Sequence, residues 1–513
     1  MVRRTPHKKY VSASASSPEI SETTAWEYVN AFYENCWEAD LGLIDRTDLE
    51  ALLKAQYYNQ LSTTGAAWLA LRNTVFAGGY RSLLAKDPNV SFASAQAKAG
   101  RFFKTALSVF TRLVLPPSSL MAIRALTLMA CYVEGLGNAP LKHLLCSNAV
   151  HLAQSKGLHR QPDKTWGHSE NEVLKRNWLW WTIYALEKHL ALCGSRPSAI
   201  DDDNISAQIP TTVPSRSNIH SPTLSIGIRY SKIHSQISRQ LLSFKALSMS
   251  TNELIRCVTH FHAQLKQLLD EMPAEFKIGT LARPHHSTRR LIHILYLHFS
   301  IYGSLMAVHA HFFYPWMTSR FASDGSDAAL EAQIASSSIT VAESARKIIL
   351  AIRLINTNVT TPSWLAFYYP IYAVINLFIY VLKYPTLSTA TADLGLLDVC
   401  AGHFGYIEFL TSSQVSISLP REAANVASKL VKAAKAKESE PASVQSTAIF
   451  EQQSSTAPML HLNVDTLEFD NAQSGSTNLG DLGNYMSPDS AGWNLLSSFD
   501  MVNSTVLGFE TFT

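Results

Sequence analysis

An all-α fold is predicted by three features. Apolar residues recur at three- and four-residue spacing over most of the chain. Hairpin signals are scarce, and the Asp324-Gly325 pair sits in a polar stretch rather than between alternating segments. The chain has 513 residues and is 47% hydrophobic, which suffices for a large buried core. The reading is a large multi-helix domain at 25–436. A disordered basic and Ser-rich arm at 1–24 precedes it, and a disordered acidic tail at 437–513 follows.

The arm carries Arg3, Arg4, Lys8 and Lys9 and no acid before Glu19. It lacks an apolar run, so it does not read as a signal peptide. Its basic residues suit a solvated arm, a remnant of a basic linker or a nuclear-import patch.

Within the body the helical stripes follow in order. Leu120 to Val133 is apolar nearly all round, which predicts a central buried helix. Leu141, Leu144, Leu145, Ala149, Leu152 and Ala153 form the next stripe, with Pro140 near its start and Gly157 as its cap. Leu179, Ile183, Leu186, Leu190 and Cys193 form another. A Pro-bearing loop is predicted from about Ala199 to Thr223. The stripes Tyr230, Ile233, Ile237, Leu241 and Leu254, Val258, Phe261, Leu265, Leu268 follow.

The tail differs in kind. Residues 441–513 hold eight acids and no Lys or Arg, so in a chain of net charge +3 the preceding 440 residues carry +11. Its apolar residues cluster around Phe469, Trp493, Leu495, Leu496 and Phe499 among acids and Ser/Asn spacers. That alternation is typical of disordered activation segments. The two ends are therefore expected to meet different partners.

Sites for chemistry are hard to find. The six cysteines form no C-x-x-C and read as small buried hydrophobes in a reducing compartment. His260 with His262, and His309 with His311, are two residues apart, about 200° around a helix, so neither pair shares one ion. Asp201-Asp202-Asp203 invites comparison with all-helical terpene cyclases, but it follows Arg196-Pro197 into a Pro-rich loop and reads as a turn. No G-x-S-x-G, P-loop or G-x-G-x-x-G occurs. No catalytic, cofactor-binding or metal residues are predicted. Leu291–Trp316 and Leu354–Leu382 lack charges and exceed a membrane span in length. Their histidines, asparagines and prolines favour buried core helices over a membrane-associated protein.

One stretch is specific. Ala149 to Arg160 ends in Gly157-Leu158-His159-Arg160. Then come Trp180-Trp181, Tyr184, Glu187-Lys188, Arg196-Pro197, Ile200, Asp203 and Pro210. This resembles the regulatory domain, or middle homology region, of the fungal zinc-cluster transcription factors. Its pattern runs G-L-H-R, W-W-x-x-Y-x-x-D-R, G-R-P-x-x-I and D-x-x-x-x-x-x-P. Weaker likeness spans Tyr28–Tyr57, Leu120–Tyr132, the helix near Tyr296 and Pro362–Pro385, covering roughly 25 to 435. Glu187 stands where the family has Asp, Trp178 where it has Arg and Ser195 where it has Gly.

The resemblance implies a nuclear transcriptional regulator without enzymatic activity, acting on a nutrient-use or metabolite-biosynthesis gene set. It implies partners in the transcription machinery or co-activators through the tail, and a homodimer or pairing with a zinc-cluster protein. The signature is scaffold: Trp180 and Trp181 are expected to plug the core. Arg196 is expected to bond helix-end carbonyls or the Asp201–Asp203 turn. Family members carry paired C-x2-C-x6-C motifs ahead of this domain. No cysteine precedes Cys36 here, so the zinc cluster is expected to be absent from this chain and DNA to be met only weakly or through a partner.

Overall fold

The computed structural model describes residues 20–58, 65–115, 119–194, 196–278, 287–321 and 328–439, with side chains to 436. Among these residues there are seventeen α-helices and no strand. The first eight are α1 (Glu22–Asn35), α2 (Arg46–Tyr57), α3 (Ala66–Leu84), α4 (Phe92–Ser108), α5 (Phe110–Val114), α6 (Leu120–Glu134), α7 (Ala139–Ser155) and α8 (Glu170–Gly194). Then come α9 (Ser221–Gln240), α10 (Thr251–Asp270), α11 (Thr288–Val308), α12 (Ala310–Phe313) and α13 (Pro315–Thr318). The last four are α14 (Ala328–Ala351), α15 (Tyr369–Lys383), α16 (Ala390–Leu410) and α17 (Leu419–Ser439). The basic residues Arg3, Arg4, Lys8 and Lys9, and the tail clusters at Phe469, Trp493, Leu495, Leu496 and Phe499, lie outside the described residues.

Local chemistry sets the helix ends. Ser21 Oγ accepts the Thr24 N–H at 3.2 Å, so α1 starts at Glu22, inside the arm expected to reach 24. Ser250 and Glu253 form a reciprocal capping box on α10, and Ser169 and Glu172 make the same exchange at α8. Gly157, at φ +67, ends α7 by sending the Leu158 N–H to the Ala153 carbonyl at 2.9 Å.

The buried side chains sort into two cores. The N-terminal core gathers α1, α3, α4, α6, α7 and α8. Its first pair packs closely at Gly79, where a Cβ would lie 1.9 Å from the Tyr28 carbonyl oxygen. The C-terminal core gathers α10, α11, α14, α15, α16 and α17. Helices α8 and α9 serve both: Cys193, Ile226 and Tyr230 belong to the second, Leu190, Leu224 and Ile228 to the first.

Two expectations need correction. Leu144, placed in the buried stripe of α7, is 48% exposed, whereas Cys146 and Val150, outside that stripe, are buried with Leu145. Helix α8 has no single apolar stripe, because it is buried on nearly all sides from Asn177 to Cys193. A helix wedged between two cores has no solvent side to keep polar. Helix α11 and the Trp364–Lys383 stretch are long and apolar enough to cross a membrane, but 83% of each apolar window is buried against other helices.

Candidate functional site

The signature residues assemble around α8 and the loop that returns from it. After the Gly157 cap, Leu158 is buried and the His159 carbonyl accepts two backbone N–H groups, from Ser206 and Ala207, each at 3.0 Å. The His159 ring packs against Trp180, with centroids 5.7 Å apart, and burial lowers its pKa. Gln161 continues the seam: its Oε1 accepts from Asn177 Nδ2 at 3.1 Å and from the Gln208 N–H at 3.0 Å.

Three tryptophans on α8 divide the work. Trp180 is 0% exposed and fills the core. Trp181 is buried and donates its indole N–H to the Gln208 carbonyl at 3.0 Å. Trp178, where the family has arginine, is also buried and donates to the Thr212 carbonyl at 2.7 Å. The departure from the family pattern therefore replaces a cation with a neutral donor that also pins the return loop.

One turn further, two neighbouring ions tie the loop's start. Glu187 accepts the Ala199 N–H at 2.7 Å and the Ser198 hydroxyl at 2.8 Å. Lys188 donates to Ser198 Oγ at 2.8 Å and to the Ile200 carbonyl at 2.9 Å, and lies 3.1 Å from Asp202 Oδ1. Burial raises the Glu187 pKa despite these bonds, and burial with the Asp202 carboxylate pushes the Tyr184 phenol up.

This corrects the role expected of Arg196. Arg196 and Pro197 are exposed, and the bonds to the loop come from Lys188, which is buried on α8. Sequence spacing favoured the arginine because it ends the helix; the lysine was hidden inside the stripe. Pro210 is buried within the loop. The acidic cluster is used locally. Asp201 accepts from the Asp203 N–H and from Asn204 Nδ2, Asp202 faces Lys188, and Asp203 Oδ2 is 3.5 Å from Arg239.

The histidines meet in a way that in-helix spacing did not reveal. His262 of α10 and His309 share a hydrogen bond of 2.9 Å between Nδ1 and Nε2, and His309 Nδ1 reaches Ser337 Oγ at 2.9 Å. Burial lowers the His309 pKa to about 3, with His262 contributing. Among the described residues no three His, Cys, Asp or Glu side chains are grouped to hold a metal ion.

The site is thus a clamp of buried donors and acceptors on backbone carbonyls and amides. Residues 27–316 match the fungal specific transcription factor domain. An "ABC-transporter-regulating transcription factor" of Aspergillus oryzae is 28% identical over 384 residues, covering 72% of this chain and 42% of its own length. Its namesake in Aspergillus fumigatus is 27% identical over the same shares. A lactose regulatory protein of Kluyveromyces lactis is 27% identical over 267 residues, 51% of this chain and 28% of its own. The chain spans less than half the length of these relatives.

Proposed function

The chain belongs to the fungal specific transcription factor domain family, and from that premise we propose that it regulates transcription in the nucleus. The observation that carries the reading is the family match across 27–316, the stretch that holds the clamped signature loop. The clamp supports a scaffold role, since Glu187, Lys188, Trp178 and Trp181 spend their polar atoms on the protein's own loop. We assign the chain no catalytic role. The relatives' names suggest the gene sets: transporter genes from the two Aspergillus proteins, nutrient-use genes from the lactose regulator.

In this reading the tail recruits transcription machinery or co-activators. The acids keep the clusters at Phe469, Trp493, Leu495, Leu496 and Phe499 solvated until they dock in a partner's groove. The chain is proposed to form a homodimer or to pair with a zinc-cluster protein, and to meet DNA only weakly or through a partner, because the four basic residues of the arm supply only a few salt-sensitive phosphate contacts. The test is the whole chain fused to a foreign DNA-binding domain over a reporter, in cells where a fluorescent tag reports its compartment. Activation is expected, and it should be lost when Trp493, Leu495, Leu496 and Phe499 become Ala. A silent reporter with nuclear protein present would remove the tail from the proposal. A gel shift with nanomolar selectivity at physiological salt would overturn the partner-dependent route to DNA.

A further inference from the structure

The two cores do not close completely against each other. Between them lies a cavity of about 80 Å3 that opens to solvent. It is walled by the Trp37–Leu41 single-turn helix, the end of α6, α8, α9, α11 and the π-helical turn Trp364–Tyr368 that leads into α15. π-Helical turns are uncommon and are frequently found at functional sites.

Three aromatic side chains make the cavity's apolar walls: Trp37, Tyr296 and Trp364, the last two edge to face at 5.1 Å. Its charged lining is of one sign. Asp40 and Glu134 line it, and no Lys or Arg does. Each oxygen of Glu134 has a group beside it: Lys142 Nζ lies 2.8 Å from Oε1 as an ion pair, and the Ser363 hydroxyl donates to Oε2 at 3.0 Å. Asp40 has such a group at one oxygen only. Its side chain is 3% exposed, Oδ1 is 3.4 Å from Arg289 Nε, and Oδ2 has no hydrogen-bond partner among the described residues. A buried carboxylate oxygen without a donor is costly and seldom left so.

The two lining histidines add acceptors and no charge. His293 donates Nε2–H to the Trp37 carbonyl at 2.9 Å, which leaves Nδ1 to accept. Burial holds His293 and His189 below the ordinary histidine pKa, so both rings are neutral. An anion entering here would meet two lining carboxylates, while their own cations, Arg289 and Lys142, are not part of the lining. A neutral apolar molecule would leave Asp40 Oδ2 unmet.

We propose that this cavity binds a small organic cation, an aromatic or alkyl body carrying one protonated amine. The ammonium sits at Asp40 and the body lies against Trp37, Tyr296 and Trp364, whose ring faces attract positive charge. Because the walls come from both cores, an occupant braces one against the other. That such bracing tunes transcription rests on the regulatory function proposed above; the binding itself does not.

The probes are benzylamine, phenethylamine and tryptamine, each beside its matched alcohol and carboxylic acid, titrated calorimetrically into the full chain. At least one amine should bind one-to-one with a Kd below about 1 mM, and its alcohol and acid about tenfold more weakly or worse. Gly227→Leu puts a side chain into the cavity, where a Cβ would lie 3.8 Å from Leu297 Cδ2, and should abolish the signal with helical content unchanged. Asp40→Asn should weaken the amine about tenfold and leave the alcohol unchanged. Should Asp40→Asn fail to fold, Gly227→Leu decides. No binding by any amine, equal binding of acid or alcohol, or full amine binding to Gly227→Leu would each overturn the proposal. None of these readouts depends on transcription, so a silent reporter and an empty cavity are separate failures.

Discussion

In the N-terminal core the buried ions come with partners fixed by chain position. Arg81 lies 3.9 Å from Glu38 with its guanidinium 4.0 Å over the Tyr132 ring, and Lys142 lies 2.8 Å from Glu134. Glu187 and Lys188 hold the signature loop beside them. The C-terminal core relies on aromatic rings and neutral histidines. Tyr314 donates to Asn376 Oδ1 at 2.9 Å, His311 bonds the Leu241 carbonyl at 2.9 Å, and His262, His309 and Ser337 form a chain. Its tight Arg346–Asp393 pair sits at the rim, with the arginine partly exposed. The family match ends at 316, inside this second core. Particular residues at particular positions specify the first core, and a motif can follow them. The second is specified mainly by apolar volume, which many sequences supply.

The largest expected effect tests whether the signature tryptophan is packing alone. Trp180 is fully buried and its indole N–H finds no acceptor among the described residues. Trp180→Ala should therefore cost about 3–5 kcal/mol, measured by denaturant unfolding. Phe299→Ala, an equally buried ring in the second core, should cost about as much. A loss under about 1 kcal/mol for Trp180→Ala would show that the first core tolerates a void that large.

The charged clamp separates the cores next. Lys188→Met leaves Glu187 and Asp202 without their cation and should cost about 3 kcal/mol. Adding Glu187→Gln should restore part of that, since the uncompensated carboxylate is the main penalty. If the two substitutions simply add, the two side chains are uncoupled and the clamp is only a set of separate hydrogen bonds.

Much of the first core was legible because its signals are local. Pro140 and Gly157 at the two ends of α7 and the apolar run of α6 each announce themselves within a few residues. What stayed hidden depends on distant partners. Ser363 bonds Glu134 across 229 positions, and His262 finds His309 across 47. No periodicity encodes such meetings. Lys188 was missed for a related reason, since its position within an apolar stripe does not reveal that the return loop folds back over it. Nor did spacing reveal that α8 is enclosed by two cores rather than leaning on one.

Acid should tell the cores apart by about 3 kcal/mol between pH 6.5 and 5. Burial lowers the pKa of His234 to about 4 and that of His309 to about 3. Both lie below the unfolded value, so the unfolded chain binds protons that the folded one refuses. Their contribution is complete above the unfolded pKa and is lost as pH falls toward the folded one. In the first core burial lowers His159 but raises Glu38 and Glu187, and the two carboxyl groups gain stability as pH falls. Hydrogen exchange at pH 5, corrected for intrinsic rates, should open α10, α11 and α14 before α3, α6 and α7. The opposite order would mean that the histidines are not what limits the second core.

The smallest expected effect falls on the residue the sequence made most prominent. Arg196 is exposed just past the end of α8, and its backbone N–H bonds the Ala191 carbonyl at 3.0 Å whatever its side chain. Its guanidinium is also a neighbour of His143, whose pKa is lowered chiefly by burial and secondarily by that positive charge. Arg196→Ala should therefore change stability by no more than about 0.5 kcal/mol. It should also let the His143 pKa rise slightly, readable by NMR titration of that ring. A loss near the Lys188→Met value would return to Arg196 the loop-holding role that the fold gives to Lys188. A near-neutral result, combined with lost reporter activation by the same variant, would instead mark Arg196 as a contact for a partner, since an exposed cation that the fold does not use remains free to meet one.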